Sequence, residues 1–310
     1  VKVLITGAAG FLGSHLVDRL VGDGGYQITG LDNLQRGTLD HVRAHVEGGL
    51  LDLHVGDIRD YAAVANAMQG AEIVFHLAAQ SNVMGALSDP DHCITTNVTG
   101  TQNVLKAAEA AHVRRVVFSS SREVYGEPVF LPVAENAPLL AKNTYGASKI
   151  AGEDYCRFWQ ARGALDCLIL RFANLYGPRD RGRVIPLWLD RARNGEDLIL
   201  YGGKQVLDFV WVGLAVDALI AAMNCQNDGP INVGSGTGTS LEALADRILA
   251  LTGHRSAKTY LEARDVEVSR FVADVGRMRS RLGITPPEEL QHLQELCQVG
   301  LGGDASLVVR

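Results

Sequence analysis

The sequence predicts an α/β protein: a doubly wound parallel sheet with a smaller C-terminal lobe interleaved with it. Three observations predict it. Apolar runs of strand length alternate with amphipathic helical stretches as far as Arg171, the rhythm of parallel βαβ units. The first run, Val1–Thr6, leads directly into a glycine turn and then a helix from Ser14 to Val21. After Arg171 the rhythm gives way to shorter strands and helices. The expected division is 1–174 for the sheet domain and 175–310 for the lobe, with parts of 205–235 returning to the sheet.

The turn is Gly7-Ala8-Ala9-Gly10-Phe11-Leu12-Gly13. Gly7 permits the tight bend, Gly10 lets backbone approach a pyrophosphate, and Gly13 allows close helix–strand packing. The helix N-terminus then offers N–H donors to phosphate. This is a Rossmann-type dinucleotide pattern, spaced Gly-x-x-Gly-x-x-Gly. Gln27–Leu31 reads as the second strand and ends at Asp32, placed to hold adenosine ribose hydroxyls and to repel a 2′-phosphate, so NAD is expected over NADP. Leu51–Val55 is the third strand, Tyr61–Met68 a helix, and Ile73–Leu77 a buried strand running into the small residues Ala78-Ala79. Asn97–His112 reads as a helix. Arg115–Ser119 and Cys167–Arg171 are the fifth and sixth strands. Ligands bind beyond the carboxyl ends of such strands. Gly7, Asp32, Ala78, Ser121 and Asn174 all fall there and are expected to converge.

In the second half, Ile185–Asn194 and Leu214–Met223 read as helices, and Leu198–Tyr201, Leu207–Val212 and Ile231–Val233 as strands. Thr239-Ser240-Leu241-Glu242 is a capping-box start for a helix to about Leu251. Arg264 to Asp274 reads as extended, Pro286 to Cys297 as a last helix, and Gly302–Arg310 as a tail without periodicity.

A net charge of −6 with no long basic block argues against nucleic acid or an anionic membrane as partner. No apolar run is long enough to span a bilayer. Val1–Ile5 reads as a strand and not a signal peptide. Five widely spaced cysteines without Cys-x-x-Cys fit reduced thiols in a cytoplasm, not a disulfide framework. His41 and His45 lack a third ligand, so no metal site is expected.

Chemistry concentrates in Ser119–Gly126, at a strand end, and Tyr145-Gly146-Ala147-Ser148-Lys149, opening a helix. Tyr145 and Lys149 share a helix face. An ammonium there is expected to lower the phenol's pKa, making Tyr145 a base for an alcohol hydroxyl that Ser121 orients.

These stretches, with Asp32-Asn33-Leu34, Gly56-Asp57-Ile58, His76-Leu77-Ala78-Ala79-Gln80, Asn97-Val98-Thr99-Gly100-Thr101 and Arg171–Pro178, resemble the extended short-chain dehydrogenases/reductases of nucleotide-sugar epimerase/dehydratase type. The resemblance spans nearly the whole chain. It implies a tightly held NAD and a homodimer through Asn97–His112 and Tyr145–Arg162. It implies a UDP-linked sugar oxidised at C4 to a ketone. Implied catalytic residues are Ser121, Tyr145, Lys149 and Glu123. Implied cofactor contacts, besides Tyr145, Lys149 and the glycine turn with Phe11 and Leu12, are Asp32, Asn33, Asp57, Ile58, Leu77, Ala78, Ala79, Gln80, Asn97 and Ser119. Implied substrate contacts are Ser121, Arg122, Asn174, Val184, Lys204 and Arg264. Lys204 is a candidate to replace an Arg that the family often carries where Leu207 stands.

The second step is open. A 4-epimerase of a UDP-hexose or UDP-uronate stands first. A UDP-glucuronate decarboxylase or a 4,6-dehydratase using Glu123 as a C5 base is the alternative, and a non-catalytic NAD-binding regulator a remote one. In 4,6-dehydratases an Asp acid usually stands at the position of Arg122, which has no proton to give near neutral pH. Glu123 faces the sugar, or forms a salt bridge with Arg122 or Arg179, or is an outward-facing loop carboxylate. If it faces the sugar, Arg122 is placed to hold a C6 carboxylate.

Overall fold

The computed structural model describes residues 1–253, 256–287 and 290–299. The strands are β1 Lys2–Thr6, β2 Gln27–Asp32, β3 Leu51–Val55, β4 Ile73–His76, β5 Arg115–Ser121, β6 Asp166–Phe172, β7 Asn174–Tyr176, β8 Leu198–Tyr201, β9 Val206–Leu207, β10 Phe209–Trp211, β11 Ile231–Val233, β12 Thr239–Ser240 and β13 Lys258–Leu261. The helices that matter below are α1 Phe11–Asp23, α2 Tyr61–Ala67, α3 Pro90–Ile94, α4 Thr101–Ala110, α5 Thr144–Ala161, α6 Val184–Arg193, α7 Val212–Ala222 and α8 Leu241–Thr252.

Seven parallel strands form the central sheet in the order β11-β6-β5-β4-β1-β2-β3. The order reverses between β1 and β4, so the crevice at their carboxyl ends is the topological switch point. The strands read as apolar runs because helices cover both faces. Val3, Ile5, Phe75 and Val117 point to one side with Leu16, Val17 and Leu20 of α1. Leu4, Val74, Val116 and Phe118 point to the other with Val104 and Leu105 of α4. A third cluster joins Trp188 and Leu189 of α6 to Leu244 and Ile248 of α8 in the C-terminal lobe.

Several expected bounds shift for physical reasons. The helix read as Asn97–His112 begins at Pro90, capped by the Asp89 side chain, and carries one wide turn, Thr95–Gly100, before α4. The strand read as Leu207–Val212 is broken between β9 and β10. The Asp208 carboxylate turns inward there and accepts from the backbone N–H groups of Ser235, Gly236 and Ala273. Of the last helix, read from Pro286 to Cys297, Leu293–Val299 is helical, while Pro286 and Pro287 are not, the ring of Pro287 disfavouring helical geometry at the residue before it. The tail Gly302–Arg310 lies outside the described residues.

Candidate active site

The carboxyl ends of the strands open into a cleft of about 840 Å³ between sheet and lobe. Its floor is the glycine turn. Gly7 has φ 76°, and a Cβ on Gly13 would lie 2.0 Å from the Gly7 carbonyl oxygen, so only glycine lets α1 start this close to the turn. Asp32 ends β2 beside it. Its carboxylate accepts from Ala9 N–H at 2.9 Å and Leu34 N–H at 2.8 Å, and burial pushes its pKa upward against those bonds. Gly7, Asp32, Ala78, Ser121 and Asn174 all line this one cleft, as their strand-end positions predict.

The edge that carries Tyr145 comes from α5. Its buried face is Gly146, Lys149, Gly152, Glu153 and Cys156, a helical repeat laid on the sheet. A Cβ on Gly152 would meet the Phe118 ring at 2.5 Å, so this glycine sets the spacing between α5 and β5. Asn143 caps the helix, accepting from Gly146 N–H at 2.8 Å, while its Nδ2 donates to Glu123 Oε2 at 2.8 Å. A buried network ties helix to sheet. Glu153 accepts from Ser120 Oγ at 2.6 Å and from both Nε and Nη2 of Arg171, and Arg171 Nη1 reaches the Tyr125 hydroxyl.

Tyr145 and Ser121 face the cleft, while Lys149 lies behind its wall. Lys149 Nζ donates to the Ser119 carbonyl at 2.8 Å and sits 5.9 Å from the Tyr145 ring centroid. The expected lowering of the phenol by Lys149 is not what the site shows. Burial pushes Tyr145 up to about 12, with Ser121 and Arg183 pulling the other way, and burial brings Lys149 down to about 8. Desolvation dominates at each group, and neither shift is set by the other's charge.

Glu123 is 5% exposed and lines the cleft. Its Oε1 pairs with Arg122 Nη2 at 2.8 Å, so of the two salt bridges open to it the structure forms the one with Arg122. Arg122 Nη2 also lies 3.4 Å from Asn174 Oδ1.

Of the other sequence-predicted residues, Gly10, Phe11, Leu12, Gly13, Asn33, Ile58, Leu77, Ala79, Gln80, Ser119, Val184 and Arg264 line the cleft. Asp57, Asn97 and Lys204 do not. Asp57 is turned to Arg59 and Asn33, and hydrogen bonds from Arg59 hold its carboxyl well below the usual range. Asn97 is buried, linking the Gln80 backbone to Ser148 Oγ. Lys204 is exposed, at the end of the Gly202-Gly203 turn. The cations on the lobe wall are instead Arg191, on the face of α6 that carries Val184 and Trp188, and Arg264, whose guanidinium stacks 3.5 Å over the Tyr201 ring. The spacing from Val184 to Trp188 to Arg191 could have pointed to Arg191. Asp208 is fully buried and structural, while its neighbours Leu207 and Phe209 line the cleft, as strand alternation requires.

A seven-stranded Rossmann sheet with a glycine cradle, a ribose-height carboxylate and Ser121, Tyr145 and Lys149 beside it defines an extended short-chain dehydrogenase/reductase. The cradle and the roomy cleft fit NAD. The model of the NAD dependent epimerase/dehydratase family matches residues 3–234, and the chain belongs to that family. It is 35% identical over 295 residues to a putative UDP-glucose 4-epimerase of Methanocaldococcus jannaschii, covering 93% of this chain and 94% of that protein. It is 35% identical over 269 residues to a UDP-N-acetyl-α-D-glucosaminuronate decarboxylase of Bacillus cytotoxicus, covering 83% and 82%. The crystal structure of dTDP-glucose 4,6-dehydratase from Streptomyces venezuelae with NAD bound superposes with a TM-score of 0.92 at 28% identity, covering 96% of each chain. The protein is thus an NAD-dependent nucleotide-sugar epimerase/dehydratase. Among the described residues no helix is long and apolar enough to cross a membrane.

Proposed function

We propose that this enzyme is a UDP-sugar 4-epimerase, acting on a UDP-hexose or UDP-uronate through a 4-keto sugar. The observation that carries the choice is the state of Glu123. Both of its oxygens are engaged, Oε1 by Arg122 and Oε2 by Asn143. Each carboxylate oxygen is already taken up by a donor, so Glu123 is held as part of the cleft wall and not presented as a free base. Chemistry at C5, which a decarboxylase or dehydratase needs, loses its candidate, and proton transfer is left to Tyr145.

In this reading Tyr145 takes the proton of the C4 hydroxyl, which Ser121 orients. Positive charge from Arg183 offsets part of the burial that keeps the Tyr145 phenol protonated. Lys149, anchored on the Ser119 carbonyl, holds the nicotinamide ribose. Bound NAD supplies the hydride acceptor and donor. Asp32 holds the adenosine ribose, and Asn174 and Arg264 the substrate diphosphate. The keto sugar turns over within the cleft, whose volume allows it, and Tyr145 returns the proton to the inverted alcohol. Phe158, 52% exposed on α5, suits a homodimer through that helix and the segment Asn97–His112. Five free cysteines suit a cytoplasmic setting.

Incubation with UDP-glucose and with UDP-glucuronate, followed by NMR, tests the reading. A C4-inverted product is expected, and a Glu123→Gln variant is expected to form it within about tenfold of the parent rate. Released CO₂, a stable 4-keto product, or a loss of about 100-fold or more in Glu123→Gln, the scale of a lost general base, overturns it.

A further inference from the structure

Arg122 lies next to Ser121 in the cleft, and the reaction above gives its guanidinium no role. Its side chain is 10% exposed, and it lines the cleft. Nη2 is used by Glu123 and Asn174. Nη1 is buried and has no hydrogen-bond partner among the described residues. The Phe271 ring lies 5.9 Å from the guanidinium carbon, a neighbour that accepts no strong hydrogen bond. An unpaired buried donor on a charged group is costly, so a site that keeps one gains from a ligand able to accept from it.

We propose that Arg122 is the specificity residue for a uronate, taking the C6 carboxylate of the sugar. The inference rests on the C4 reading of Ser121 and Tyr145 and narrows its substrate class. Arg122 directly follows Ser121, which in that reading fixes the C4 hydroxyl. C6 is carried by C5, the ring neighbour of C4, whereas the diphosphate leaves from C1 on the far side of the ring. A guanidinium one residue from the C4 clamp is therefore placed for the C6 substituent through its unpartnered Nη1, while its Nη2 is turned to Glu123 and Asn174. The planar donor fork of Arg suits a carboxylate, and a neutral CH₂OH would use it poorly. Glu123 does not forbid it, because it occupies the Nη2 donor and leaves the Nη1 donors unpartnered.

The test is calorimetric binding of UDP-glucuronate, UDP-glucose and UDP to the NAD-loaded enzyme, with NMR turnover of both sugars. The parent enzyme is expected to bind UDP-glucuronate about 10- to 100-fold more tightly than UDP-glucose, the range of a charge-assisted hydrogen bond. Arg122→Met is expected to erase most of that ratio and to leave UDP affinity within about threefold. Arg122→Lys, which keeps the charge, is expected to restore part of the ratio. Equal binding of the two sugars by the parent enzyme overturns the proposal, as does an equal loss for both sugars and UDP in Arg122→Met, which would place Arg122 on the diphosphate. If the parent enzyme inverts C4 of UDP-glucose without preferring the uronate, this inference alone fails. If it inverts neither sugar, the 4-epimerase reading fails and takes this inference with it. The parent comparison needs no variant, so poor folding of Arg122→Met leaves the test intact.

Discussion

Two histidines carry no part of the proposed chemistry yet set how the protein answers acid. His76 is buried at the end of β4, its Nδ1 2.8 Å from Thr6 Oγ1 and its Nε2 2.9 Å from Thr101 Oγ1. His15, on α1, bonds the Pro178 carbonyl at 2.9 Å. Burial lowers His76 to about 3 and His15 to about 4. Both rings therefore stay neutral in the folded chain, while the unfolded chain protonates them below about 6.5. The unfolded state binds more protons across that window. Stability is thus intact above about pH 6.5 and falls as pH drops toward 4, by about 1.4 kcal/mol per pH unit for each ring. Denaturant unfolding of His76→Asn should show a slope shallower by about that amount between roughly pH 6 and 4.5. Slopes equal to the parent's would mean that His76 is protonated in the native state.

The same scale shows what the sequence makes legible. Gly7, Gly13, Asp32, Ser121 and Tyr145 are readable because each is defined by local geometry, whether a positive φ, a close approach, a strand end or a helix face. The helical spacing of Tyr145 and Lys149 places them correctly relative to each other, but it does not reveal their proton affinities. Those depend on desolvation, and desolvation depends on what the lobe lays over them. Lys204 fails as an expectation and Arg191 is missed for a related reason. Spacing puts Arg191 on the helix face of Val184 and Trp188, but which face reaches the cleft is decided by packing between the sheet and the lobe.

At the level of elements, α5 is the part that must not move. It carries Tyr145 and Lys149, and its cap residue Asn143 also holds Glu123. What fixes it is Glu153, fully buried one turn beyond Lys149 and shared by Ser120 of β5, Arg171 of β6 and Arg157 of its own helix. Removing one partner of a buried pair strands the other without compensation, at about 3–5 kcal/mol. Glu153→Ala should cost about that much in denaturant unfolding and should slow turnover as well, because the stranded Arg171 lies behind the strand that ends in Ser121. A loss under about 1 kcal/mol would show that apolar packing against Phe118, and not the ion pair, seats the helix. The Glu153–Arg171 pairing lies beyond sequence reading. The two residues are 18 apart, on different elements, and only the α5–β6 register joins them.

For the whole molecule, the sheet order brings the glycine turn, Ser121 and Tyr145 to one cleft at the strand ends, and arginines of the lobe line its other side. The fold class and sheet crossings follow from the alternation of strand and helix, because parallel strands need crossover helices. The break at Asp208 does not, since a carboxylate inside an apolar run gives no sign of which backbone it will bond. The central claim is that chemistry is confined to C4, with Tyr145 moving the proton and hydride never leaving the site. Turnover of UDP-glucose deuterated at C4, with the product read by NMR and mass, tests it most directly. The account predicts a C4-inverted sugar that keeps its deuterium at C4, formed about 10²- to 10⁴-fold more slowly by Tyr145→Phe. Deuterium lost from C4 to the solvent, or Tyr145→Phe turning over at the parent rate, would contradict it.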